Sequence, residues 1–250
     1  MSGKNLVLSR RMQSVADRIS KGMILADVGC DHGYLSIWLC QSGKIPSAIA
    51  MDVNAGPLKK AEENVHLYGL KQRIQLRLSD GLMKLEAGEV DAVAIAGMGG
   101  GLTVRILKAR PDVVEQLQEL VLEPQSDVDQ VRSYLFSIGF AIVDEDMVLE
   151  DGKFYPIIRA LPETRKQEME SFKEDPAVEQ LPEAAKLRYG RILLGKRHPV
   201  LKELILHDRK QAAGILERLL QNPTEKSLAR IEELKKEMQW MEDALKLYEM

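Results

Sequence analysis

Over the first 160 residues, short apolar runs alternate with segments of helical period. Ile24–Val28, Ser47–Asp52, Ile74–Leu78, Val90–Ala96, Glu119–Leu122, Phe140–Asp144 and Tyr155–Arg159 each predict a strand. Several are apolar almost throughout, as parallel strands are when both faces are covered. Between the early runs, Tyr34–Gln41, Gly56–Tyr68 and Leu102–Ala109 predict helices, and Val128–Ile138 predicts a further one. Strand, helix and strand in repetition predict an α/β fold built on a doubly wound, mostly parallel sheet. Glu150-Asp151-Gly152 joins the last two runs and is a hairpin signal, so the last strand is expected to be antiparallel.

The pattern then breaks. Residues 162–182 hold Pro162, Pro176 and Pro182 among many charges, which predicts a linker with at most short helices. After His198-Pro199 the spacing becomes heptad-like. Leu201, Ile205, Ala212, Ile215 and Leu219 form one seam, interrupted by Asp208, and Ile231, Leu234, Met238, Met241, Leu245 and Tyr248 form another. Asn222-Pro223-Thr224-Glu225 between them fits an N-cap, a proline at the first helical position and an acid three residues after the cap. So short a turn predicts a C-terminal α-helical antiparallel coiled-coil hairpin. The expected domains are residues 1–160, carrying the ligand site, and 161–250, linker and hairpin.

Composition narrows the class. At 250 residues and 45% hydrophobic content the chain can build a real core, which excludes disorder throughout and a disulfide-stapled miniature. The two cysteines, Cys30 and Cys40, follow no apolar leader and fit a reducing compartment. No stretch approaches the ~18 apolar residues of a membrane span. A cytoplasmic protein with no membrane partner is expected, and a monomer. Net charge is −3, but residues 161–250 balance at 17 basic and 17 acidic side chains. Within them Lys186, Arg188, Arg191, Lys196, Arg197, Lys202, Arg209 and Lys210 form a basic cluster with few acids adjacent in sequence. A local patch, not the sum, sets the field a polyanion feels.

The densest chemical signal is Ala26-Asp27-Val28-Gly29-Cys30-Asp31-His32-Gly33, between an apolar strand and a helix. Glycines there permit a tight turn and close approach to a ligand. Strand, glycine loop and helix alone serve several nucleotides, but the acids discriminate. Asp27 at the strand end and Asp31 in the loop would repel a pyrophosphate, and the G-x-G-x-x-G spacing is absent. An acidic glycine loop suits a ligand with an ammonium and a sulfonium but no phosphate: S-adenosylmethionine. Asp52 closes the second strand, where a carboxylate can accept both ribose hydroxyls. Asp80, before Gly81, follows the third and could accept from an adenine amine. Gly97-Met98-Gly99-Gly100 follows the fourth, where open α/β sheets bind ligands.

The stretches ADVGCDHGYLSIWL, MDVNAGPLKKAEENV, LSDGL, IAGMGGGL, LEPQ and EDGKFYPII closely resemble the bacterial tRNA (adenine-N1)-methyltransferases that act on the adenine at position 22. The likeness runs in order through about residues 5–160, and the helical hairpin matches the family's two-part architecture. It implies a class I methyltransferase (Rossmann-like) fold, S-adenosyl-L-methionine as donor and tRNA as substrate. Carried over residue by residue, Asp27, Gly29, Asp31 and Gly33 would line the methionine end. Asp52 and Val53 would hold the ribose, Asp80 and Gly81 the adenine, and Gly97 and Met98 would border the reacting methyl. Leu8-Ser9-Arg10 resembles the family's N-terminal segment, and Arg10 could pair with the donor carboxylate or an RNA phosphate. A tRNA must be gripped outside the catalytic pocket, and Lys186, Arg188, Arg191, Lys196 and Arg197 are the candidates for phosphate contact.

The Asn/Asp-Pro-Pro-aromatic run common in methylases of exocyclic amines is missing after the fourth strand. A ring nitrogen already exposes a lone pair, so its methylation needs alignment more than a strong base, and alignment can supply up to roughly 7–11 kcal/mol. The product is cationic, so Asp31, His32 or a backbone carbonyl near Gly97 could stabilise its charge. Cys30 reads as a small packing residue. The four histidines and two cysteines show no metal spacing, so no metal is expected. Trp38 and Trp240 read as packing residues. Two rivals remain open: the same donor used on a small molecule or protein, and a catalytically silent RNA-binding scaffold.

Overall fold

The computed structural model describes residues 6–168, 175–221 and 225–249. In chain order the elements are α1 (Arg10–Arg18), β1 (Leu25–Val28), α2 (Tyr34–Gln41), β2 (Ala48–Asp52), α3 (Ala55–Leu67), β3 (Ile74–Leu78), β4 (Ala92–Met98), α4 (Gly100–Lys108), α5 (Pro111–Val114), β5 (Glu119–Pro124), α6 (Val128–Ser137), β6 (Phe140–Glu150) and β7 (Lys153–Pro162). A 3-10 turn follows at Glu163–Glu168, then α7 (Pro176–Glu179), α8 (Glu183–Tyr189), α9 (Arg191–Gly195), α10 (Pro199–Gln221) and α11 (Glu225–Lys246).

The seven strands form one sheet in the order β3-β2-β1-β4-β5-β7-β6. All neighbours from β3 to β5 are parallel, and β7 alone runs against the rest. β1, β2 and β5 are buried along their whole length, which is why their sequences do not alternate. Alternate residues feed two cores. Leu25, Ala48 and Ala50 pack with Val15, Ile37 and Ala61 of α1 to α3, whereas Ala26, Ile49 and Met51 pack with Ile106, Val113 and Val131 of α4 to α6. Chain direction around the sheet reverses between β1 and β4. The carboxyl ends of the strands flanking that reversal are where such sheets bind ligands.

β6 and β7 extend well beyond the expected Phe140–Asp144 and Tyr155–Arg159 and pair from Phe140↔Pro162 to Glu150↔Lys153. Their two-residue turn is Asp151-Gly152, both with positive φ, the geometry that matches strand twist.

The chain divides into two compact units, residues 1–171 and 172–250. In the second, α8 and α9 are helices that the sequence pattern did not announce. α10 buries Leu201, Ile205 and Ala212 of the first seam, and α11 buries Ile231, Leu234 and Met241 of the second. Arg209 pairs with Glu242 at 3.0 Å, and the Tyr248 hydroxyl donates to the His198 carbonyl at 3.1 Å. The start of one helix thus meets the end of the other, so the two run antiparallel. The expected cap at Asn222-Pro223-Thr224 lies outside the described residues. No described helix is long and apolar enough to cross a membrane.

Candidate active site

Asp27 is the penultimate residue of β1, and its side chain is buried. The Ser36 hydroxyl of α2 donates to its Oδ2 at 2.7 Å. Burial raises the carboxyl from 3.8 to about 6; the Ser36 hydrogen bonds work against that rise, and the neighbouring charge of Asp52 adds to it. The buried glutamates of this unit each have an arginine: Glu119 has Arg159, Glu145 has Arg132 and Glu123 has Arg11. Asp27 has no such cation among the described residues.

The glycine loop is tied to the second strand by backbone bonds. Gly29 and Cys30 N–H both donate to the Met51 carbonyl, at 2.8 and 2.9 Å. The Asp31 N–H approaches Asp52 Oδ2 at 3.4 Å, while Asn54 N–H donates to Asp52 Oδ1 at 2.8 Å. Asp52 is buried at the β2 tip, Asp31 is exposed with φ +50°, and Val53 beside it is exposed. His32 lies 3.4 Å from Asp31 and stacks on Tyr34, and its carbonyl accepts from Asn64. Gly33 caps α2 and packs on Ala61. Burial, then the charges of Asp27, Asp52 and Asp31, push the Cys30 thiol upward, which fits a packing residue and not a nucleophile.

Ser79 N–H donates to the Asp52 carbonyl at 2.9 Å, bringing the third strand's end to the same rim. Asp80 is exposed there, two residues past β3, and Gly81 packs on Ile106 so closely that a β-carbon would stand 2.8 Å from it. At the β4 tip the ladder slips between Ala96 and Met98, leaving Gly97 in a bulge with φ +79°. The Met98 side chain extends over Gly29, so the fourth tip closes on the first loop.

Two residues at this rim were not singled out from the sequence. Glu123, fully buried, accepts from Gly97 N–H at 3.0 Å and from Arg11 Nη1 at 2.8 Å. Burial raises its carboxyl, with Arg11 opposing. The arginine that reaches the rim is Arg11, whereas Arg10 is exposed at the start of α1. Helical period carried the missing signal: Arg11 shares a face with Val15 and Ile19, both buried. For Glu123 the signal is an acid that directly follows the apolar Leu120-Val121-Leu122 run of β5.

The basic cluster requires a correction. The sequence suggested few acids nearby, but folding supplies them. Lys186 is buried between Glu179 and Glu183, and Arg191 pairs with the same two acids. Arg188 pairs with Asp208 at 2.9 Å, and Arg197 with Asp175 at 2.6 Å while also donating to the Leu247 carbonyl. One helical turn or a helix crossing separates each pair, so adjacency in sequence does not reveal it. Lys196, Lys202 and Lys210 are exposed. Among the described residues no cluster of His, Cys, Asp and Glu could hold a metal.

Comparison with known proteins agrees with this geometry. A methyltransferase domain family matches residues 8–158. The tRNA (adenine(22)-N(1))-methyltransferase of Bacillus subtilis is 31% identical over 241 residues, 96% of this chain and 98% of that protein. The crystal structure of the B. subtilis M1A22 tRNA methyltransferase TrmK superposes with a TM-score of 0.85 at 31% identity, covering 96% of this chain and 99% of that one. A Streptococcus pneumoniae protein described as a candidate tRNA (m1A22) methyltransferase, solved with S-adenosyl-L-methionine, gives 0.80 at 32% identity over 96% of this chain and all of that one. A complete sheet with this reversal point, together with likeness along nearly the whole length, makes the chain a member of the tRNA (adenine(22)-N(1))-methyltransferase family.

Proposed function

We propose that this protein transfers the methyl group of S-adenosyl-L-methionine to N1 of the adenine at position 22 of tRNA. The observation that carries the reading is Asp27: a buried carboxylate, raised toward neutrality, beside a glycine loop and without a cation of its own among the described residues. An ammonium group is the partner that such a carboxylate lacks, and a phosphate is the group it repels. The residues present therefore fit the donor.

Asp27, Gly29, Asp31 and Gly33 hold the amino-acid end, Asp52 and Val53 the ribose, and Asp80 and Gly81 the adenine. Gly97 and Met98 border the reacting methyl. The donor supplies an electrophilic sulfonium methyl. The chain's own part is to align an unpaired base against it and to offset the positive charge left on the ring, the second task falling to Asp31, His32 or a backbone carbonyl near Gly97. N1 lies on the Watson–Crick edge, so the adenine must be out of any pair. In the second unit, exposed lysines 196, 202 and 210 supply phosphate contacts. Arg188 and Arg191 contribute through their exposed faces, and Lys186 and Arg197 by holding the helices in place.

The test is to incubate purified protein with labelled donor and total tRNA, then locate the modified base by mass spectrometry. 1-Methyladenosine at position 22 is expected; no transfer, or methylation confined to a protein or small molecule, overturns the reading.

A further inference from the structure

Glu123 is bound in a one-sided way. Its Oε2 takes both hydrogen bonds, from Arg11 Nη1 and from the Gly97 N–H, while its buried Oε1 has no partner among the described residues. Leaving a buried carboxylate oxygen without a protein partner is unfavourable, and an apolar side chain of similar volume would serve the core better. The register explains what the acid does. β4 and β5 pair evenly as far as Ala96↔Glu123, then slip so that Met98 faces Pro124 and Gly97 has no residue opposite. A peptide N–H in a bulge is orphaned unless a side chain meets it, and Glu123 meets this one. Gly97 also holds a left-handed conformation that the ladder does not impose. Arg11 is itself fixed, with its guanidinium 4.9 Å over the Tyr155 ring and its backbone N–H 3.4 Å from Glu150 Oε1.

We propose that Glu123 is a positioning residue for methyl transfer: through Oε2 it locks the Ala96–Gly97 peptide at the rim where the acceptor base enters, and Arg11 holds Glu123 there. The inference rests on the function proposed above and adds to it a residue that touches neither donor nor base. Tyr155, Arg11, Glu123 and Gly97 then form one chain of contacts from β7 to the tip of β4. A shift of about 1 Å at such a tip is enough to cost up to roughly 100-fold in rate.

The test compares steady-state tRNA methylation, donor affinity by calorimetry and melting temperature for wild type and variants. Formation of 1-methyladenosine by the wild type tests the functional reading alone; differences among variants test this inference. Glu123→Met keeps the volume and deletes both oxygens. It should lower kcat by roughly 10- to 100-fold while donor affinity stays near wild type. Glu123→Gln can present its amide oxygen in place of Oε2 and put the amide nitrogen where Oε1 had no partner, so kcat should return to within about fivefold of wild type. If Glu123→Met does not fold, Arg11→Met reads the same relationship and should lower kcat at unchanged donor affinity. Wild-type kcat in Glu123→Met or in Arg11→Met overturns the proposal. So does a Glu123→Gln enzyme no better than Glu123→Met, or a loss of donor binding in step with kcat.

Discussion

Gly29 lies directly under Met98: a β-carbon on this glycine would collide with the methionine's terminal methyl. The first loop and the fourth strand tip are thus in van der Waals contact through a residue with no side chain, and φ at Gly29 is +73°. Gly29→Ala should therefore act twice. Left-handed backbone at a residue with a β-carbon costs about 1–3 kcal/mol of stability. The displaced Met98 side chain should also weaken donor binding by about tenfold, or ~1.4 kcal/mol. Thermal melting with calorimetry checks both, and an alanine variant that binds the donor like wild type would show that the two tips do not form one site.

Asp27 makes stability and donor binding respond oppositely to pH. Folding raises its carboxyl from 3.8 to about 6, chiefly by burial, so between those values the folded state holds more protons than the unfolded one. Stability from this group is full below pH 3.8 and is lost as pH rises through 6, leaving a penalty on the order of 2–3 kcal/mol at neutral pH. Asp27→Asn should consequently raise the melting temperature at pH 7.5 and change it little near pH 4. Donor affinity should move the other way. The wild type should bind more weakly below pH 6, and the asparagine variant should bind weakly throughout.

Asp52 offers a cleaner reading of the ribose contact, because its carboxylate is braced by the amides of Asn54 and Asp31 rather than by a cation. Replacing it with alanine removes a charge-assisted acceptor, and donor affinity should fall by ~1.5–3 kcal/mol, roughly 10- to 150-fold. Unchanged affinity by calorimetry would remove the ribose from the β2 tip.

The sheet was legible because parallel strands covered on both faces write themselves as apolar runs: β1, β2 and β5 are buried from end to end. The far half of β6 was not, because Asp144, Glu145 and Asp146 interrupt the apolar pattern. In the fold they are strand residues answered by Arg18 and Arg132. The acids at the glycine loop could be read from position alone, since a strand end followed by glycine fixes where a side chain must sit. Arg11 and Glu123 could not be paired that way. They are 112 residues apart and meet only when α1 packs beside β5. The same limit governs Lys186 and Arg191, whose charges are met by Glu179 of α7 and Glu183 of α8, all but one of the four pairings joining different helices.

Burial separates two kinds of basic residue in the second unit. Lys186 is buried among its acids, so Lys186→Ala should lower stability by about 1–2 kcal/mol and leave tRNA affinity near wild type. Lys196, Lys202 and Lys210 are exposed, and their joint replacement by glutamine should do the reverse. Binding of tRNA to the wild type should fall steeply with salt, because each phosphate neutralised releases counterions. The triple variant should flatten the plot of log affinity against log salt by about two to three in slope with melting unchanged. A triple variant whose salt slope matches wild type would move the RNA-binding face off these lysines, and a Lys186→Ala protein with normal stability but weak tRNA binding would return that lysine to it.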